Sequence, residues 1–169
     1  SQAYVLSTAL MRPYSDCITI AHVDEAAEGL FKKILLMVDR LPPELRPLCG
    51  RMRKDGIAFL EMPCVEGGFA LKSSIEVGTA AGAEKWRSKT LQTVHLSEFS
   101  SFPYQDQTWL GVMQCCPKTP DSLVIVESTA RGMGDIFHEE YTKAEAGESG
   151  FTPVFIPWYE LPDAWMPVP

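Results

Sequence analysis

Two apolar runs end in residues that can do chemistry. Thr93-Val94-His95-Leu96-Ser97-Glu98-Phe99 delivers a hydroxyl and a carboxylate, and Leu123-Val124-Ile125-Val126-Glu127 leads into Ser128-Thr129-Ala130. Both read as buried strands. In an open α/β sheet, ligands bind outside the carboxyl ends of the strands. A carboxylate at one tip and a Ser-Thr pair at another point to a nucleotide-hydrolysing site. The chain contains no GxxxxGK[ST] phosphate loop, so these residues form part of a site rather than a whole one.

Glu98 is the leading catalytic candidate. A hydrophobic strand ending in acid is the Walker B arrangement, in which the penultimate acid helps hold Mg²⁺ and the last orients or deprotonates the attacking water. Here a hydroxyl, Ser97, replaces the metal-side acid, and Ser97 can hydrogen-bond a magnesium-bound water. The plainer alternative is a strand end with an exposed Glu. Asp24-Glu25 also follows an apolar strand, but it opens a strongly amphipathic helix, where acids in the first turn need no further explanation.

Arg87, flanked by Lys85 and Lys89, forms a basic cluster in a glycine-containing loop near the two tips. An arginine reaching a γ-phosphate stabilises transition-state charge; the alternative is a solvated loop charge. Ser128 and Thr129 can sense a γ-phosphate and pass its state on, or simply cap a helix. His95, inside an apolar strand, reads as a satisfied core histidine. Arg46, Arg51, Arg53 and Lys54 read as a solvated loop, and the tryptophans as packing residues.

The elements that position these residues follow from periodicity. Ala3 to Met11 is helix-compatible and stops at Arg12-Pro13. Residues 16–21 form a β-branched strand. Val23, Ala27, Leu30, Phe31, Ile34, Val38 and Leu41 recur at helical spacing until Pro42-Pro43. Residues 44–56 read as a loop. Residues 57–62, 69–72 and 74–77 read as three short strands in a meander decorating the main sheet, with a Gly67-Gly68 turn. Residues 78–89 read as a loop, 105–116 and 135–146 as helices, and 154–156 as a last strand. Alternating strands and helices imply a mostly parallel sheet covered on both faces.

Bulk properties fit one ordered domain of 169 residues, 46% hydrophobic and 22% charged. A net charge of −7 argues against a free-standing nucleic-acid-binding module. Five cysteines without CxxC or Cys/His spacing fit a reducing compartment rather than disulfides or zinc. Cys17 lies in a strand, where a thiol behaves as a small hydrophobe. No run of 18 apolar residues suggests a membrane span, and the start of the chain lacks the basic region of a signal peptide.

Taken in order, Ile20-Ala21-His22-Val23-Asp24-Glu25, Leu41-Pro42-Pro43-Glu44-Leu45-Arg46-Pro47, Val77-Gly78-Thr79-Ala80, Val94-His95-Leu96-Ser97-Glu98 and Glu127-Ser128-Thr129-Ala130-Arg131-Gly132 resemble the ATPase domain of the large terminase subunit of tailed bacteriophages. The stretch Glu148 to Trp158 resembles the end of that domain. The resemblance implies a RecA-like P-loop NTPase (ASCE) fold with a small antiparallel meander, ATP and Mg²⁺ as substrate and cofactor, and DNA packaging as the task. It implies Glu98 as the catalytic glutamate, Arg87 as an arginine that can act on a neighbouring subunit, and Ser128-Thr129-Ala130 as the coupling motif.

It also implies double-stranded DNA, a portal protein and a small terminase subunit as partners, a homo-oligomeric ring on the portal, and the host bacterial cytoplasm as location. On this reading residues 1–157 are an ATPase core lacking the phosphate loop, and 158–169 are a Pro/Trp-rich linker toward a nuclease domain. The fragment alone is expected to be inactive. Two alternatives stand beside it: the core of a helicase-type P-loop translocase, and a non-catalytic assembly domain.

Overall fold

A computed structural model describes residues 1–50, 55–62, 69–86 and 88–160. Among the described residues, four helices and six strands run in the order α1 (Gln2–Met11), β1 (Asp16–Ala21), α2 (Asp24–Asp39), β2 (Leu48–Cys49), β3 (Gly56–Met62), β4 (Phe69–Thr79), β5 (Thr93–Ser97), α3 (Gln105–Cys115), β6 (Leu123–Glu127) and α4 (Ile136–Glu145), with short 3-10 turns between some of them. The chain forms two compact units, Ser1–Arg131 and Gly132–Pro169.

The first unit is an α/β layer structure built on one sheet in the order β2-β3-β4-β1-β5-β6. β4, β1, β5 and β6 are parallel, whereas β2, β3 and β4 form an antiparallel ribbon. The expected meander therefore exists, but it is continuous with the main sheet. The two strands read at 69–72 and 74–77 are one strand of 11 residues. Ser73, which looks like a break, and Ser74 are both satisfied inside the sheet. Ser73 Oγ donates to the Arg12 carbonyl at 2.9 Å, and Ser74 Oγ to Asp16 Oδ1 at 2.5 Å.

Strand alternation sorts the core into two layers. Cys17 and Ala21 of β1 join Val5, Ala9, Phe31, Ile34, Phe59, Leu71 and Ile75 beneath α1 and α2. Ile18, on the opposite face, lines a small space with Trp86, Leu91, Thr108, Val112 and Cys115, under α3. Burial pushes the Cys17 thiol up to about 12, leaving almost no thiolate for reaction. Asp24 and Glu25 lie in the first turn of α2, as its dipole favours. Arg46 donates to the Asp39 and Leu41 carbonyls at 2.6 and 3.0 Å, closing the other end of that helix; this gives it a structural task beyond a solvated loop charge.

In the second unit, Asp135 caps α4 by accepting from the His138 N–H at 2.8 Å. Residues 154–156, expected as a strand, are exposed and carry no ladder among the described residues. Among the described residues no helix is long and apolar enough to cross a membrane.

Candidate active site at the strand tips

The parallel register aligns Thr79 of β4 with Ala21 of β1, and Ser97 of β5 with Glu127 of β6. The β1–β5 register, which pairs Ile20 with Leu96, brings these ends level along one carboxyl edge. Glu98 is the first residue beyond β5. It adopts the left-handed conformation, φ 60° and ψ 48°, at a cost of order 1–2 kcal/mol for a residue with a Cβ. That turn directs the chain into a 3-10 segment at 99–101, fixed by the buried Phe99, whose ring meets Phe102 edge-on at 5.2 Å and Trp109 at 5.7 Å. Aromatic packing thus anchors the residue after the candidate base.

The two sequence motifs meet. Thr129 Oγ1 donates to Glu98 Oε2 at 3.0 Å, and the Thr129 N–H points to the same oxygen at 3.5 Å. Ser128 Oγ accepts from the Ser100 N–H at 3.0 Å. Ser97 Oγ donates to Glu127 Oε1 at 3.1 Å. Three rungs therefore lace β5 to β6 just where both strands end. Ser128 is half-buried, while Thr129 and Ala130 are exposed.

Beneath the tips lies a polar network that the sequence reading missed in part. His95 is fully buried. Its Nδ1 lies 2.8 Å from Gln2 Nε2 of α1, and Gln2 also bonds Thr19 of β1. Its Nε2 lies 2.9 Å from Glu127 Oε1, an approach bent away from the ring N–H direction. Glu127 Oε2 accepts from Ser1 Oγ at 2.7 Å. These contacts hold the Glu127 carboxyl down at about 2 against an ordinary 4.5, His95 contributing most, against an opposing push from partial burial. An acid ending an apolar strand was the visible signal for Glu127. Ser1 and Gln2 gave none, because their partners lie 126 and 93 residues away.

Arg87 lies outside the described residues, as do Arg51, Arg53 and Lys54. Its surroundings are nonetheless anchored. Trp86 Nε1 donates to Glu76 Oε2 at 3.2 Å and Lys89 Nζ to Glu76 Oε1 at 2.6 Å, so one β4 carboxylate holds both sides of position 87. The 3-10 turn at Ala80–Trp86 starts from the same carboxyl edge, one residue after β4.

Among the described residues no three His, Cys, Asp or Glu side chains cluster as a metal site. The groups at the tips themselves are oxygens, the Ser97 hydroxyl and the Glu98 and Glu127 carboxylates, with the fully buried His95 Nε2 2.9 Å behind Glu127. That chemistry fits a hard cation which keeps most of its waters, as Mg²⁺ does.

No protein-family model and no curated protein sequence matches the chain. Solved structures do. The large-terminase ATPase domain of Thermus phage P74-26 matches with a TM-score of 0.61 at 19% identity, over 83% of this chain and 57% of that one. The large terminase of a thermophilic bacteriophage, solved in complex with ADP, matches with a TM-score of 0.62 at 11% identity, over 87% of this chain and 34% of that one. The chain therefore spans about half or less of the length of these structures. What they share with it is the α/β, RecA-like sheet: the fold is that of a large-terminase ATPase domain.

Proposed function

We propose that this chain is the ATPase core of a viral DNA-packaging motor, acting within a longer large terminase subunit. The observation that carries the reading is Glu98, held in a left-handed turn at the tip of β5 and bonded to Thr129 at the tip of β6. Strained backbone at a strand tip is retained where it aims a side chain. The fold shared with terminase ATPase domains supports the same assignment.

In the parent, Glu98 takes the proton of the attacking water or orients it toward the γ-phosphate of ATP. Mg²⁺, when bound, neutralises charge on the β- and γ-phosphates, and Ser97 holds it through a water. Thr129 bonds Glu98 directly, so loss of the γ-phosphate changes the partners of Glu98 and is felt at Ser128-Thr129-Ala130. Arg87 supplies positive charge to a neighbouring subunit's nucleotide in a ring seated on the portal protein. The substrate of translocation is double-stranded DNA, recruited with the small terminase subunit in the host bacterial cytoplasm. The acidic balance of this chain, −7 overall, places most duplex contacts on other parts of the parent.

The test is Glu98→Gln in the full-length parent. Glutamine keeps the size and the acceptor for Thr129 but cannot take a proton. Turnover should fall by about a hundredfold or more with nucleotide binding retained. Steady-state ATPase within about threefold of wild type would remove Glu98 from the role of base.

A further inference from the structure

His95 is a fully buried polar side chain between the apolar Val94 and Leu96 of β5, and the hydrolytic scheme above gives it no task. Burying an imidazole costs free energy unless its nitrogens find partners. Both nitrogens face polar groups, and the partners come from different elements: Gln2 from α1 and Glu127 from β6. With the Gln2 amide nitrogen 2.8 Å from Nδ1, Nδ1 is the acceptor and the ring proton resides on Nε2, facing the Glu127 carboxylate. The tautomer is therefore set by α1.

Glu127 is the last residue of β6, and Ser128-Thr129 follow it directly. Its carboxylate is shared among His95, Ser97 and Ser1. Held from three sides, it has little freedom to turn. The next two residues then present Ser128 Oγ to the Ser100 N–H and Thr129 Oγ1 to Glu98. Gln2 also bonds Thr19 of β1, so the network reaches across three strands and the start of one helix.

We propose that His95 is a positioning residue: through Glu127 it fixes Ser128-Thr129, and through Thr129 it fixes Glu98, so that the N-terminal turn of α1 and the candidate base move as one unit. The proposal rests on the reading of Glu98 as the base. Within that reading, displacement of the first residues of α1 is transmitted to Glu98 along Gln2, His95, Glu127 and Thr129. Three of the links are side-chain contacts, Gln2 to His95, His95 to Glu127 and Thr129 to Glu98; the fourth, from Glu127 to Thr129, runs along the backbone through Ser128. Packed hydrogen-bonded chains of this kind carry coupling between sites, and the measure of it is non-additivity between their members.

The closing experiment has two arms. In the full-length parent, His95→Phe keeps a ring of similar breadth and removes both nitrogens. Glu127→Gln, at a half-exposed position, tests the same link where the phenylalanine variant is poorly folded. Each should lower kcat by about tenfold with KM for ATP within about threefold, because the nucleotide is still bound but the base is misdirected. His95→Gln, which returns an amide donor and acceptor, should recover most of the loss. On a Thr129→Val background, His95→Phe should cost less than about twofold more, since the path is already cut. Unchanged kcat in both single variants, or losses that simply multiply with Thr129→Val, would overturn the proposal.

The second arm uses this 169-residue chain and needs no ATPase. Nitrogen-15 spectra of the imidazole should show the Nε2–H tautomer of His95. His95→Phe should shift the Thr129 and Ser100 amide signals, which report the rungs to Glu98 and Ser128. An Nδ1–H tautomer, or unmoved Thr129 and Ser100 signals, would sink the network. A parent that hydrolyses no ATP would instead sink the reading of Glu98 while leaving this second arm to decide the linkage.

Discussion

Glu127 accepts from Ser1 and Ser97 and lies 2.9 Å from His95 Nε2, and that trio dictates how the chain should respond to acid. Its carboxyl is lowered from 4.5 to about 2 in the folded state. A group depressed in this way stabilises the fold fully above its unfolded value and loses that contribution as pH falls through the folded one. The loss therefore runs from about pH 4.5 down to about pH 2. Glu127→Gln removes the titration, so its denaturation midpoint should fall less than wild type's between pH 5 and pH 2.5. Parallel pH profiles for the two proteins would show that the carboxylate gains nothing from its partners. Glu127 is about half exposed, and high salt should narrow the difference by screening.

At the scale of elements, β4 shows what sequence reading can and cannot reach. Helix α2 was legible because Ala27, Phe31 and Ile34 repeat at helical spacing and are the buried residues of that helix. β1 and α3 were legible for similar reasons, and the tips bearing Glu98 and Ser128-Thr129 stood out as abrupt changes from apolar to polar. The pairing of β4 was not legible. Ser73 read as a break ahead of a strand beginning at Ser74, because the partners of these two serines, Arg12 and Asp16, lie about sixty residues upstream. Residues 154–156 failed in the opposite sense: an apolar run shows strand propensity, but a strand also needs a neighbour, which local pattern does not supply. Gln2 and Ser1 belong to the first case, polar residues whose meaning lies in distant partners.

The same strand makes a prediction about the segment carrying Arg87. Glu76 holds Trp86 and Lys89 on either side of position 87. Glu76→Ala should leave β4 paired but speed hydrogen exchange of amides in 80–89 by about tenfold, since local opening then breaks fewer bonds. Exchange unchanged in that window would assign the order of the loop to Trp86 burial alone.

For the molecule as a whole, the sheet brings the candidate site residues to one edge, but the 169 residues contain no phosphate loop. Backbone N–H groups and a lysine of such a loop normally hold the β- and γ-phosphates. Calorimetry on this chain should show no micromolar ATP binding, and a micromolar dissociation constant would mean that another phosphate cradle exists. In the parent, the proposed ring predicts activity that depends on assembly. Arg87→Ala and Glu98→Gln subunits should each be inactive alone, yet mixing should restore ATPase at interfaces that pair an intact Arg87 with an intact Glu98. Co-assembled mixtures that stay inactive would place Arg87 in its own subunit's site.

β6 closes one side of the sheet and pairs only with β5 among the described residues. Its sequence, Leu-Val-Ile-Val-Glu, combines strong strand formers with a single charge at the very end. Natural proteins blunt such rims with lysine, proline or a bulge, and β6 carries none of these. The consequence is colloidal. Wherever such a rim of N–H and C=O groups is left uncovered, it is a template for any other extended chain, including another copy of itself. The strand that brings Thr129 to Glu98 is thus also a place where two copies of this chain can pair edge to edge.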